Sequence, residues 1–389
     1  DSFGNKIAQS ISASNIISNT TKYLYDANAK NIIKITNALG HNEHRAYDIN
    51  NRVIQITNSS GNTTEFAYDN MGRKIQENRS DGTNTTWNYS WDSSFNNSMY
   101  KITSKSSGAP SHISLYNILN QKVRTIKIGF DGTKIYEDTF YNNKGQVIKS
   151  STPYYEINNP SYIYKTYDAI GRITNIQKPG ASGNTTNISY AYNAFDVETT
   201  NEKNQKKTIK SNIIGKKIRV EENGTFIEYK YDAFGSLIET SDAKDNKIIL
   251  SYDIYGNKVS MDDPDMGIWT YEYNALGKLI KQNDAKNQST QMSYDVLGRL
   301  VKKTEVEGST TWTYDRDDSA IGKLSYVQND QYRKEYHYDS IGRIESTKEY
   351  IDQNVFNTKF FYNCSGFRWS WFSCSSHVGS IWMRAPSTC

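Results

Sequence analysis

The sequence predicts an all-β protein, in which stacked β-hairpin repeats form a curled or spiral sheet. Three observations lead there. A short phrase, Tyr-Asp-x-x-Gly-Arg, recurs along nearly the whole chain. Tyrosine is abundant, 30 of 389 residues, while only 36% of the chain is hydrophobic. No apolar stripe of period 3.6 is sustained long enough to make a helix.

The composition alone argues for a thin, ordered structure. A soluble globular chain is roughly 45–50% apolar on a count that includes glycine, so a dense core is not expected here. Disorder does not fit either. Aromatic residues make up 13% of the chain and the net charge is only +4, whereas disordered chains are poor in aromatics and rich in one sign of charge. Tyr, with an apolar body and a polar tip, suits half-buried strands.

The clearest copies of the phrase are Tyr68-Asp69-Asn70-Met71-Gly72-Arg73, Tyr167 to Arg172, Tyr294 to Arg299 and Tyr338 to Arg343. Looser copies begin at Tyr25, Tyr47, Tyr116, Tyr141, Tyr192, Tyr231, Tyr252, Tyr273, Tyr314 and Tyr362. From Tyr231 through Tyr252, Tyr273 and Tyr294 the step is 21 residues, and it is 20 on to Tyr314. A degenerate unit, Ser211-Asn212-Ile213-Ile214-Gly215-Lys216, fills the wide gap between Tyr192 and Tyr231.

Each unit reads as a hairpin. In Thr63–Tyr68, residues Thr64, Phe66 and Tyr68 share one face and Thr63, Glu65 and Ala67 the other. Asp69-Asn70-Met71-Gly72 comes next. Asp can accept from backbone amides two residues on, and Gly can take positive φ, as a type I turn closed by a G1 bulge requires. A second turn comes after each returning strand, as at Asn58-Ser59-Ser60-Gly61-Asn62 and Ser80-Asp81-Gly82-Thr83. Two strands of five to seven residues and two turns then fill about 21 residues. A lone hairpin is marginal in water. Stacking edge to edge pairs the strand edges, and strand twist makes the sheet curl. The repeated Tyr is expected to form a ladder, each ring packed on the next. About fifteen such units leave open sheet ends, and self-association that grows with concentration is expected.

Tyr-Asp-x-x-Gly-Arg at this period resembles the YD repeat, also called the RHS repeat. The stretch from Asp262 to Leu279, and its continuation Gln282-Asn283-Asp284-Ala285-Lys286-Asn287-Gln288, is similar to bacterial members. The resemblance covers roughly residues 1–366, with more than ten copies in agreement. Relatives include Rhs polymorphic toxins, wall-associated proteins, the B and C components of insecticidal toxin complexes, and animal teneurins. It implies a hollow β-shell around a cargo, usually a C-terminal toxin domain, in a secreted or cell-surface protein of bacteria. The closing segment that this family associates with aspartate-dependent self-cleavage is not matched here, so self-cleavage is not expected of this chain.

Residues 1–363 are expected to form the repeat segment, and 364–389 an atypical Cys- and Trp-rich tail outside it. The chain's start, Asp1-Ser2-Phe3-Gly4-Asn5-Lys6, reads as a unit that lacks its leading Tyr, as a fragment would. All three Cys, Cys364, Cys374 and Cys389, lie in that tail. They allow one disulfide with an odd thiol, or mark a tail read in another frame; the second reading is preferred, because composition and repeat are lost together. No apolar run is long enough to span a membrane. Charge is mixed, 46 basic against 42 acidic residues, with no basic block for nucleic acid.

No residue is assigned a catalytic, cofactor-binding or metal-binding role, no cofactor is expected, and the chain is read as non-enzymatic. The Asp and Arg flanking each turn (Asp69 with Arg73, Asp168 with Arg172, Asp295 with Arg299) could form a charged ligand ladder. Turn capping and an exposed ion pair of small net value account for them better. Asp262-Asp263-Pro264-Asp265 and Asp315-Arg316-Asp317-Asp318 are carboxylate-rich, yet lack the twelve-residue calcium pattern with its closing Glu. His41 and His44 lack the helical zinc spacing. His112, His337 and His377 are scattered, and no Gly-x-Ser-x-Gly or phosphate loop occurs. The alternative function is adhesion or carbohydrate binding through outward Trp87, Trp91, Trp269 and Trp312. Of these, Trp269 and Trp312 lie two residues before a Tyr and are expected to belong to the repeat's own packing.

Overall fold

The computed structural model describes residues 1–11, 19–129, 131–180, 183–362, 368–376 and 379–384; of the last two stretches only the backbone is described. Strands dominate. The one helical turn that bears on the sites below is a short 3-10 segment, Asp318–Ala320.

Consecutive strands pair antiparallel. Thr63–Tyr68 pairs with Val53–Thr57 before it and with Lys74–Arg79 after it. The hairpins expected from the repeat are therefore present, and they join edge to edge into a long open ladder. Nearly every Tyr-Asp hairpin carries a register shift just before its turn, as between Ala67 and Tyr68 or Ser293 and Tyr294, which leaves one extra residue on the returning strand, Ile75 or Val301. The turn itself is closed by positive φ at Gly72 (80°) and Gly298 (79°). Asn51 (61°) and Asn120 (59°) hold the same left-handed position where the phrase lacks Gly. The unit at Tyr192 departs from the pattern: Asn193 pairs directly with Asp196, leaving a two-residue loop with Ala194 at φ 51°.

The chain divides into two compact units, one of Asp1–Thr86 with Trp269–Cys389 and one of Trp87–Ile268. In the first, the two chain segments meet at their turns. Ile56, Asn58, Asn62, Arg79 and Asp81 line one cleft with Ile341 and Arg343. The ladder of this unit runs on past Tyr362: Arg368–Ser376 pairs along Asn354–Tyr362, and Gly379–Arg384 along Arg368–Ser376. Cys364, Cys389 and His377 lie outside the described residues, as does the side chain of Cys374.

The second unit contains the one break in the simple order of strands among the described residues. Lys134–Tyr141 splits its partners. Ile135 and Tyr136 pair with a two-residue strand, Tyr154–Tyr155, while Thr139–Tyr141 pairs with Val147–Ser151. Val147–Ser151 then passes to Tyr162–Tyr167. The deepest packing of this unit lies beside that split, at Leu115, Val123 and Tyr136. Elsewhere side chains are mostly half-buried, as a sheet one strand thick dictates.

Candidate functional site

The repeated phrase is the feature that recurs through the molecule, and its four residue types divide one mechanical task. Asp69 closes the turn: the Gly72 amide donates to its carbonyl, and its own amide donates to the Arg73 carbonyl. Its Oδ1 accepts from the Met71 and Arg73 amides, and its Oδ2 from Arg73 Nε at 2.7 Å. Asp168, Asp295 and Asp339 repeat these bonds. At Asp48 the Arg52 amide, working against burial and aided by the Arg52 side chain, holds the carboxyl below the ordinary aspartate range.

The Tyr of most units reaches back to the unit before. Tyr68 Oη donates to the Val53 carbonyl at 2.7 Å, Tyr252 to Leu237 at 2.8 Å and Tyr294 to Leu279 at 2.7 Å. In these three the acceptor is the residue six after the preceding Tyr; where the preceding turn is longer it lies further on, seven for Tyr47 to Ile32 and ten for Tyr338 to Leu324. Tyr231 keeps the six-residue spacing by donating to Lys217, six after Ser211. The degenerate unit thus keeps its place in the ladder. Burial pushes the Tyr252 and Tyr294 hydroxyls above the ordinary tyrosine value.

The basic residue that ends the turn reaches forward. The Arg52 guanidinium lies 4.8 Å from the Tyr68 ring centroid, Arg172 lies 4.1 Å from Tyr192, Arg299 4.4 Å from Tyr314 and Arg343 4.3 Å from Tyr362. Lys216 and Lys323 take the same place over Tyr231 and Tyr338. Arg299 adds a two-bond pair with Asp315 of the next unit. Burial opposes its charge, but Asp315 and Asp295 hold its basicity above the ordinary value. This corrects the expected ring-on-ring ladder. One period of the sheet is about 9–10 Å, two strand spacings, so successive repeat rings stand too far apart to stack. A long cation fills the interval. Tyr100 and Tyr116, on paired strands, do stack at 5.1 Å.

The other candidates are also held in structural contacts. Asp263 caps its own turn through the Asp265 and Met266 amides. Asp315 accepts from Arg299 and from the Gly322 amide. His41 meets Asn37 across a turn, while His44 points to solvent. Burial, with Lys122 and Lys127 nearby, lowers the basicity of His112. No group of three or more His, Cys, Asp or Glu fit to hold a metal occurs among the described residues. Of the four Trp, only Trp91 is exposed (82%), and the other three are half-buried.

One polar node has no counterpart in the repeat. Asp138, 2% exposed, takes two bonds from Arg124 (2.6 and 2.9 Å) and one from Tyr154 Oη (2.7 Å). The Ser151 hydroxyl receives the Asp138 amide. Arg124 also lies 3.5 Å from the Phe95 ring centroid. Burial first, then the bond to Asp138, pushes the Tyr154 hydroxyl up to about 12. The node pins the two-residue strand Tyr154–Tyr155 at the split. Its members are 14 and 16 residues apart, and no short motif announces it.

The RHS repeat family model matches residues 47–86 and 273–310. Both stretches are runs of the turns just described. These two stretches are RHS repeats. Among solved structures, this chain is similar to TcdB2–TccC3 without its hypervariable C-terminal region. The TM-score is 0.74 and the identity 12%, over 91% of this chain and 27% of that one. It is similar also to TcdB2–TccC3 itself (0.73, 13%, over 94% and 25%). A third likeness is to a Photorhabdus luminescens Tc holotoxin pore (0.71, 12%, over 91% and 27%). At such identities the likeness is one of fold, and the chain spans roughly a quarter of those solved chains. No curated protein matches it in sequence.

Proposed function

We propose that this RHS chain is a non-enzymatic wall segment of a bacterial toxin shell, enclosing or scaffolding a toxic cargo. Its partners are the remainder of the shell and that cargo, in a secreted or surface-exposed protein. The observation that carries the reading is the use of the motif: Tyr, Asp, Gly and Arg all serve to close a turn or to tie one hairpin to the next. A chain whose repeated chemistry is wholly internal makes a wall. Residues 1–363 are taken as that wall, with 364–389 outside the repeat proper. No helix among the described residues is long and apolar enough to cross a membrane.

Carbohydrate binding is the weaker reading. A sugar platform needs aromatic faces open to solvent, and of the four nominated Trp only Trp91 offers one.

The test uses the product of the intact coding region. Its terminal domain should resist proteinase K while the wall is folded, and become cleavable once the wall is opened by denaturant. Cleavage of that domain at the rate of the free domain, with the wall still folded, would refute enclosure. Saturable glycan binding abolished by Trp91→Ala would favour adhesion instead.

A further inference from the structure

The two rims of the ladder differ. One rim carries the Tyr-Asp turns, whose residue before Gly projects from the tip. The other carries the Asn- or Gly-rich second turns. Within the unit of Asp1–Thr86 and Trp269–Cys389, these rims already meet. The second turns at Asn58–Asn62 and Arg79–Thr83 line a cleft with Ile341 and Arg343, at the tip of the Tyr338 turn. Ile341 is half-buried there, and the tip residues Leu276 and Leu297 of the same run are half-buried as well. Asp81 and Arg343 are close enough to interact electrostatically.

In the unit of Trp87–Ile268 the same tip position is bare, as it also is at Met71 (78%) of the first unit. Leu119 (71%), Ile170 (76%), Ile214 (70%), Phe234 (97%) and Tyr255 (83%) all project into solvent. None is required by its turn: the cap is made by the neighbouring Asp or Asn, as Asp232 does for the Phe234 and Ser236 amides. Large apolar side chains at five of these tips, interrupted by Lys144 and by the two-residue loop after Asn193, mark an interaction surface. Second turns are also bare elsewhere on the chain, at 285–288 and 329–331.

We propose that this row of tips is a docking rim, and that its occupant is the second-turn rim of another copy of this chain. The contact already made around Ile341 is the pattern for it, continued from one molecule to the next. Two different rims meeting make a heterologous, head-to-tail contact, which need not close and can extend. It differs in kind from association through the open strand edge at Ala8–Ile11, and it holds whatever the wall encloses.

Sedimentation velocity across a concentration series tests it, on the wild-type chain, a Leu119→Ser/Phe234→Ser/Tyr255→Ser variant and an Ala8→Pro variant, which removes an amide on the free edge of the first strand and spares its pairing with Asn19–Tyr25. The wild type should self-associate. The tip variant should raise the dissociation constant about tenfold or more, and Ala8→Pro should leave it unchanged. A monomeric wild type, or loss of association in Ala8→Pro but not in the tip variant, would overturn the proposal. Should the tip variant fail to fold, cross-linking between isotopically light and heavy wild-type copies decides instead. Lys144 or Lys216 on the tip rim should link to Lys286 on the other rim, and links confined to the first strand would refute it.

Discussion

At the residue scale, the motif's chemistry is that of a joint. Tyr68 donates to a carbonyl of the preceding unit and lies under a guanidinium from the same unit. Tyr68→Phe removes the donor and leaves the half-buried Val53 carbonyl without it, a cost of about 0.5–1.5 kcal/mol, measurable by urea unfolding. Gly72→Ala meets no obstacle nearer than 3.6 Å, so its cost is that of the left-handed backbone, about 1–2 kcal/mol. Asn51→Gly, where the backbone is already left-handed, should be nearly neutral. In the buried node, Arg124→Ala strands the Asp138 carboxylate and should cost about 3 kcal/mol or more. Tyr154 supplies a pH signature. Its folded value lies above its unfolded one, so its contribution is full below about pH 10 and is lost as pH rises toward about 12. Tyr154→Phe should flatten that alkaline decline, seen by circular dichroism at 25 °C. The capping aspartates act at the other end of the scale. Asp48 and Asp26 are held below their ordinary value, at Asp26 chiefly by the Lys30 amide. Their contribution is present at neutral pH and is lost as pH falls below about 4.

At the scale of elements, the hairpin is the unit that the sequence makes legible. Period-two alternation at Thr63–Tyr68, Asp at the turn and Gly at its end are local signals, and the strands form where those signals fall. The degenerate unit at Ser211 was readable too, because Asn212 and Gly215 keep the turn bonds even without Tyr. The joint between one unit and the next was less so. Alternation says which side chains share a face, but not that a period of two strands separates the repeated rings and leaves room for Arg. The split at Lys134–Tyr141 and the Asp138 node were not legible at all, since they depend on residues from three strands meeting by packing. A deletion tests the hairpin as unit. Removing 232–252 joins Tyr231 to Asp253 and takes out one whole period; the remaining ladder should fold and melt cooperatively. Removing 232–241 takes out one strand, reverses the direction of every later strand, and should abolish cooperative melting.

At the scale of the whole molecule, stability is distributed. Nearest-neighbour joints of similar strength, repeated along the chain, replace a large core. Only Leu115, Val123, Tyr136, Ala320 and Phe360 are buried apolar residues among those described. The composition foretold this thinness, because 36% hydrophobic residues could not have filled a solid interior of this length. The rim-to-rim contact around Ile341 was not foretold, as nothing local links residue 58 to residue 341. That the repeated residues act as joints is tested most directly by a matched set of conservative changes. Thermal unfolding of Tyr252→Phe and Tyr294→Phe should each show a loss of about 1 kcal/mol, while Tyr255→Phe, at an exposed tip, should show none. Equal stability of all three with the wild type would contradict a wall held together by its tyrosines.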